Sequence, residues 1–73
     1  MDGYEKLANT IIVQAAKDYR VALRKLHRKP NNKDAGAEKE SIERFFRSDW
    51  FCALTEVDGE TLIQKLSEEM NNP

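Results

Sequence analysis

The chain has 73 residues, a net charge of −1, and a single cysteine and a single histidine. It is short for more than one domain, cannot form an internal disulfide, and lacks the ligands of a zinc site. Its 40% hydrophobic and 34% charged residues are those of a foldable chain, and no apolar run approaches the ~20 residues of a membrane span.

The first element is a helix over about residues 3–29. Asp2 and Glu5 have the spacing of an acidic capping box. Ala8, Ile11, Ile12, Ala15, Ala16, Tyr19, Ala22, Leu23 and Leu26 recur at three- and four-residue steps, which gathers them on one wide face. Pro30 stops the helix, because the residue before a proline avoids the α region. Lys25, Arg28 and Lys29 occupy the negative end of its dipole. The Pro30–Asp34 stretch is a turn-rich linker.

A second helical segment begins at Asp34 or Ala35 and reaches Leu54, with an apolar stripe of Ile42, Phe45, Phe46, Trp50, Ala53 and Leu54. Ser48 can cap a new short helix starting at Asp49, so a break is expected there. A third helix follows Asp58, its N-cap. Val57 and Leu62 have the spacing of a hydrophobic staple around that cap. Leu62, Ile63, Leu66 and Met70 form its apolar face, and Asn71-Asn72-Pro73 ends it. No run alternates as a strand does. The expected fold is all-α: three helices, or four if the Ser48 break starts a short one, with the long first helix forming a hairpin with the second.

The first helix is longer than its partners, and part of its apolar face should stay uncovered. A homo-oligomer is the economical way to bury it and is expected, through Ile12, Ala16, Tyr19, Leu23 and Phe45; the alternative is a monomer with a frayed first helix.

The net charge hides a division. Residues 17–33 carry seven cations against Asp18 alone, whereas residues 51–73 carry Lys65 against five carboxylates. A basic helix face attracts phosphate or carboxylate, or is simply solvated. Duplex DNA is a poor fit. Such binders are usually basic overall, and the only recognition-helix candidate, after Asp58-Gly59, carries Glu60, Glu68 and Glu69.

Residues 45–51, Phe-Phe-Arg-Ser-Asp-Trp-Phe, are the most distinctive stretch. Aromatics and arginine recur in interface hot spots and in surfaces that stack bases and hold phosphates. In a continuous helix Phe46 and Trp50 stack at i, i+4 and pack in the core, while Phe45 and Phe51 point elsewhere. An anionic ligand would draw on Arg20, Arg24, Arg28, Arg44 and Arg47 for its phosphates and on Trp50 or Phe51 for a base. Cys52 reads as an inert buried thiol, His27 as a surface or ligand-contacting side chain, and Tyr19 as core with its hydroxyl at the boundary. Glu40 and Glu43 lie three apart, but nothing completes a metal site around them. Catalysis has no support: the sequence holds no glycine-rich phosphate loop and no nucleophile with a base near it. No cofactor is implied.

The stretch 45–51, with Leu54-Thr55, Asp58-Gly59-Glu60, Leu62-Ile63 and Lys65-Leu66, resembles short uncharacterised helical proteins of phages and prophages of low-GC Gram-positive bacteria. Lys17-Asp18-Tyr19-Arg20 with Ala22-Leu23 is similar too. The resemblance implies a phage-associated role in the host cytoplasm and brings no catalytic residues. Small phage proteins of this kind block a host protein, regulate a phage one, or sequester a nucleotide signal of host defence. The residues leave two readings open. The one that the pairing of arginines with aromatics favours is an anti-defence oligomer that holds an anionic nucleotide at its interfaces. The other is a helical module that docks on a host or phage protein through its aromatic segment.

Overall fold

Three local signals divide the chain into helices. The computed structural model describes residues 3–71, and within them helix α1 spans Gly3–Arg28, α2 Lys33–Phe46, α3 Asp49–Leu54 and α4 Gly59–Asn71. No strand occurs among the described residues. Asp2, and with it the Asp2–Glu5 capping pair, and the Asn72-Pro73 stop fall outside the described residues.

Pro30 breaks the chain just after α1, as expected. Helix α2 then starts at Lys33, slightly before the expected Asp34. The reason is that Asn32, expected in the linker, caps the helix: its side-chain oxygen accepts the Ala35 N–H at 3.1 Å. Ser48 does cap α3, accepting the Phe51 N–H at 3.1 Å, while its hydroxyl donates to the Phe45 carbonyl at 2.6 Å. One residue thus ties the end of α2 to the start of α3. Asp58 fills the cap position of α4, where its carboxylate accepts from the Thr61 N–H and hydroxyl at 3.1 and 2.8 Å. Leu62 packs against the core but Val57 is exposed, so the expected staple adds little.

At 26 residues, α1 is about 39 Å long and runs most of the 42 Å length of the molecule. It packs chiefly on α2, and also on α4 and α3. Tyr19, Phe46, Phe51, Ile63 and Leu66, drawn from all four helices, form the buried centre. The rings meet edge to face: Phe46 lies 5.9 Å from Tyr19 and 5.4 Å from Phe51, a geometry that adds to plain burial.

Two close contacts fix how α4 meets this core. The first is at Gly59. A Cβ there would run into the Phe46 carbonyl oxygen and lie 2.9 Å from its carbon, so α4 begins where only glycine fits. The second is a polar cluster beside the core. The Tyr19 hydroxyl donates to Glu43 at 2.5 Å, and Lys39 donates to the same carboxylate oxygen at 2.7 Å. Arg47 stands 3.8 Å from Glu43 and pairs with Glu60 at the start of α4.

Several expectations change here. The break at Arg47-Ser48 resets the helical phase, so Phe46 does not stack on Trp50. Phe45 meets Trp50 at 5.4 Å, and Phe46 meets Phe51. Phe51 is completely buried, whereas Trp50 is 59% exposed. Cys52, expected inside, is exposed for the same reason. Tyr19 is core as expected, and being fully buried it cannot also serve as an interface between copies. Ile12, Ala16, Leu23 and Phe45 are half-buried against the same core cluster, so one copy already uses most of the face proposed for an oligomer.

Candidate functional site

The aromatic segment, sorted by the Ser48 corner, leaves one large ring outside. Trp50 stands at the end of an open groove of about 500 Å³ between α1 and α2. Ile11, Ala15 and Ile42 form its apolar floor. Thr10, Gln14 and Asp18, spaced one helical turn apart, make the α1 wall; Ser41 and Phe45 make the α2 wall. Helical spacing dictates this arrangement: residues 11 and 15 lie nearer the core face of α1, and residues 10, 14 and 18 nearer solvent. Phe45 is held from both sides, by Phe46 at 5.7 Å and by Trp50 at 5.4 Å, so the aromatic end of the groove is braced by the core.

Among the described residues that line the groove, Asp18 alone carries a charge. Its carboxylate accepts one hydrogen bond, from the Gln14 amide at 3.0 Å. No lysine or arginine lines the groove. Lys6 and Lys17 lie behind the Thr10–Gln14 row, around a smaller depression with Val13.

The arginines nominated for an anion are dispersed. Arg20 donates to both oxygens of Glu69, at 2.8 and 3.3 Å. That bond holds the Glu69 carboxyl below its ordinary range and raises Arg20. Arg47 is paired with Glu60 and Glu43, and its hydrogen bond to Glu60 raises it. Both pairs are exposed and contribute little to stability. Arg24 and Arg28 share a small depression with Val21 and Lys25 near the end of α1. Arg44 lies on α2 beside Glu40, Glu43 and Arg47. Within one copy, therefore, the arginines do not converge on the exposed aromatic. Phe51, nominated to contact a base, is corrected to a core residue with no exposed surface. His27 is exposed in the last turn of α1.

Glu43 is the residue whose role the sequence conceals. Burial raises its carboxyl, but hydrogen bonds from Lys39 and Tyr19, with the charges of Lys39 and Arg47, outweigh this and hold it below its ordinary value. Burial is also the main reason the Tyr19 phenol is pushed up to about 12, with its bond to Glu43 second. The cluster locks α1 to α2 and, through Arg47, to α4. Glu43 and Tyr19 are bonded to each other inside the fold, and we assign them a structural part.

No protein-family model matches the chain, and neither a curated protein nor a solved structure does. No helix among the described residues is long and apolar enough to cross a membrane.

Proposed function

We infer that the protein is a non-enzymatic helical docking module, with α1 and α2 as a hairpin and α3 and α4 bracing it. It binds another protein through the groove beside Trp50. The carrying observation is the contrast at the Ser48 corner: three of the four rings in residues 45–51 are spent wholly or partly inside, while Trp50 stands exposed at the end of an apolar groove. A folded module that leaves its one tryptophan outside beside apolar side chains has the makings of an interface anchor. In the phage setting that the resemblance of residues 45–66 implies, docking of this kind would block or regulate a host or phage protein in the host cytoplasm.

The test is affinity capture from cells expressing the wild type, Trp50→Ala or Val57→Ala. Val57 is exposed but outside the groove. A partner retained by the wild type and Val57→Ala, lost with Trp50→Ala and rebuilt into a complex from purified components supports the reading. Equal retention by Trp50→Ala overturns it.

A nucleotide sponge is the second reading, and the Arg24–Lys25–Arg28 strip favours it. It requires a homo-oligomer, because an arginine from one copy must meet an aromatic from another. Leu7, Val13 and Val21 on α1 are exposed apolar side chains that a second copy could cover. Native mass spectrometry decides it: an oligomer carrying an adduct of nucleotide mass supports a sponge, and an 8.4 kDa species without one counts against it.

A further inference from the structure

Resting on the docking reading, we propose that the occupant of the groove is an amphipathic helix with a basic residue at one end: apolar anchors towards Trp50, a lysine or arginine at Asp18. The groove is polarised along its length. Helices joined by a short turn run antiparallel, so residues equally far from the turn lie level. With the turn between Arg28 and Lys33, Asp18 falls level with Glu43, as the neighbouring Tyr19–Glu43 bond requires, and Ile11 lies about two turns further from the turn, on the side of Phe45 where Trp50 meets it. The aromatic rings therefore sit at one end and the carboxylate at the other.

Glu38 strengthens the acidic end. It is exposed on α2, three and four residues before Ser41 and Ile42, on the same side of that helix. Among the described residues Asp18 accepts the Gln14 amide hydrogen bond, and a carboxylate has capacity for more donors. No cation lines the groove to neutralise it. An anionic occupant would meet Asp18 and Glu38, while the lysines Lys6 and Lys17 lie behind the α1 wall.

The dimensions fit a helix. From Thr10 to Asp18 the wall extends about 12 Å, or two turns. Anchors at i, i+4 and i+7 of a partner helix span a similar length, the usual spacing of a helix laid in an apolar groove. With its first anchor against Ile11 and Trp50, a basic side chain about two turns along from that anchor, beside the last one, reaches Asp18. Lys6 and Lys17, behind the α1 wall, direct that cation to the α2 side, towards Glu38.

The experiment uses the intact chain and two synthetic helical peptides, one of leucine and lysine, the other with glutamate replacing each lysine. Leucines stand at i, i+4 and i+7 in both. Trp50 is the only tryptophan, so its emission reports the groove directly. The lysine peptide is expected to shift that emission to the blue and saturate, and to bind several-fold more tightly than the glutamate peptide. Asp18→Asn, which keeps an acceptor for Gln14, should weaken the lysine peptide about two- to fivefold, the usual scale of a part-exposed ion pair. Equal binding of both peptides, or a preference that survives Asp18→Asn combined with Glu38→Gln, overturns the basic occupant and leaves docking standing. If neither peptide moves the emission, docking itself falls with it. An emission shift with protein concentration alone identifies a second copy as the occupant and also overturns the proposal.

Discussion

Replacing Gly59 with alanine should destabilise this protein, although glycine-to-alanine changes inside helices usually stabilise by about 0.5–1 kcal/mol. Gly59 opens α4, and its backbone conformation is one any residue adopts. Space is the obstacle: the new methyl would overlap the Phe46 carbonyl oxygen and come within 2.9 Å of its carbon. That obstacle is backbone and cannot rotate away. Helix α4 must retreat by about an ångström, which loosens Ile63 and Leu66 against Phe46, Phe51 and Tyr19. Overpacking of this kind costs about 1–3 kcal/mol, against the roughly 3–5 kcal/mol a core of this size supplies. At about 4–8 °C per kcal/mol for a small domain, the melting temperature should fall by roughly 5–20 °C. Gly36→Ala is the internal control. Nothing lies within 4 Å of a Cβ there, so the same change in α2 should raise stability by about 0.5–1 kcal/mol. Thermal unfolding followed by circular dichroism reads both. A Gly59→Ala variant as stable as the wild type would refute the placement of α4 against the end of α2.

Neighbouring aromatics should behave oppositely. Phe51→Ala removes a fully buried ring and should cost about 3–5 kcal/mol, enough to unfold the chain, while Trp50→Ala should cost under about 1.5 kcal/mol, its edge-on contact with Phe45 being the main loss; denaturant titration separates them, and equal losses would contradict the corner. Ser48→Ala removes a cap and should cost about 1–2 kcal/mol in the same titration, with Ser48→Asp, which retains an acceptor for the Phe51 N–H, recovering part of it. Acid should act through Glu43. Its folded pKa is depressed, so its contribution is present above the ordinary carboxylate value and is lost as pH falls through the lower folded one; Glu43→Gln should flatten that part of the stability profile. Alkali should act through Tyr19. Its folded pKa is raised to about 12, so its contribution is present below the ordinary phenol value near 10 and is lost as pH rises from there to about 12. Tyr19→Phe should remove the late-titrating phenol from an ultraviolet absorbance titration.

Much of this fold is legible in the sequence because its punctuation is local. Pro30, Ser48 and Asp58 mark ends and starts through interactions within a few residues, and the apolar stripe of α1 needs only a period near 3.6 to be seen. Asn32 belongs with these signals: an asparagine just after a proline turn and three residues before Ala35 is a recognisable cap. The identity of the exposed ring is different in kind. Trp50 and Phe51 are adjacent, and about 100° of helix separates them. Which one turns inward depends on the angle at which α3 leaves α2, and a continuous-helix reading across Ser48 assigns both wrongly. Long-range pairings are likewise silent. Arg20 finds Glu69 forty-nine positions away, and Glu43 finds Tyr19 across the α1–α2 contact. Nothing in the local pattern marks Gly59 as a contact point, because its constraint is set by the Phe46 carbonyl in another helix. The groove follows from the same tertiary facts: its floor residues belong to the expected stripes, but the space above them exists only because α3 turns Trp50 outward.

The most direct test of the central claim is a nitrogen–proton NMR map of the labelled protein titrated with the leucine–lysine peptide. The single indole gives one resolved side-chain signal. The account predicts that this signal and the amides of residues 10–18 and 41–45 move together and saturate, while those of Arg24–Arg28 and Val57 stay in place. Shifts confined to the Arg24–Arg28 strip, or no saturable shift in the groove, would contradict it.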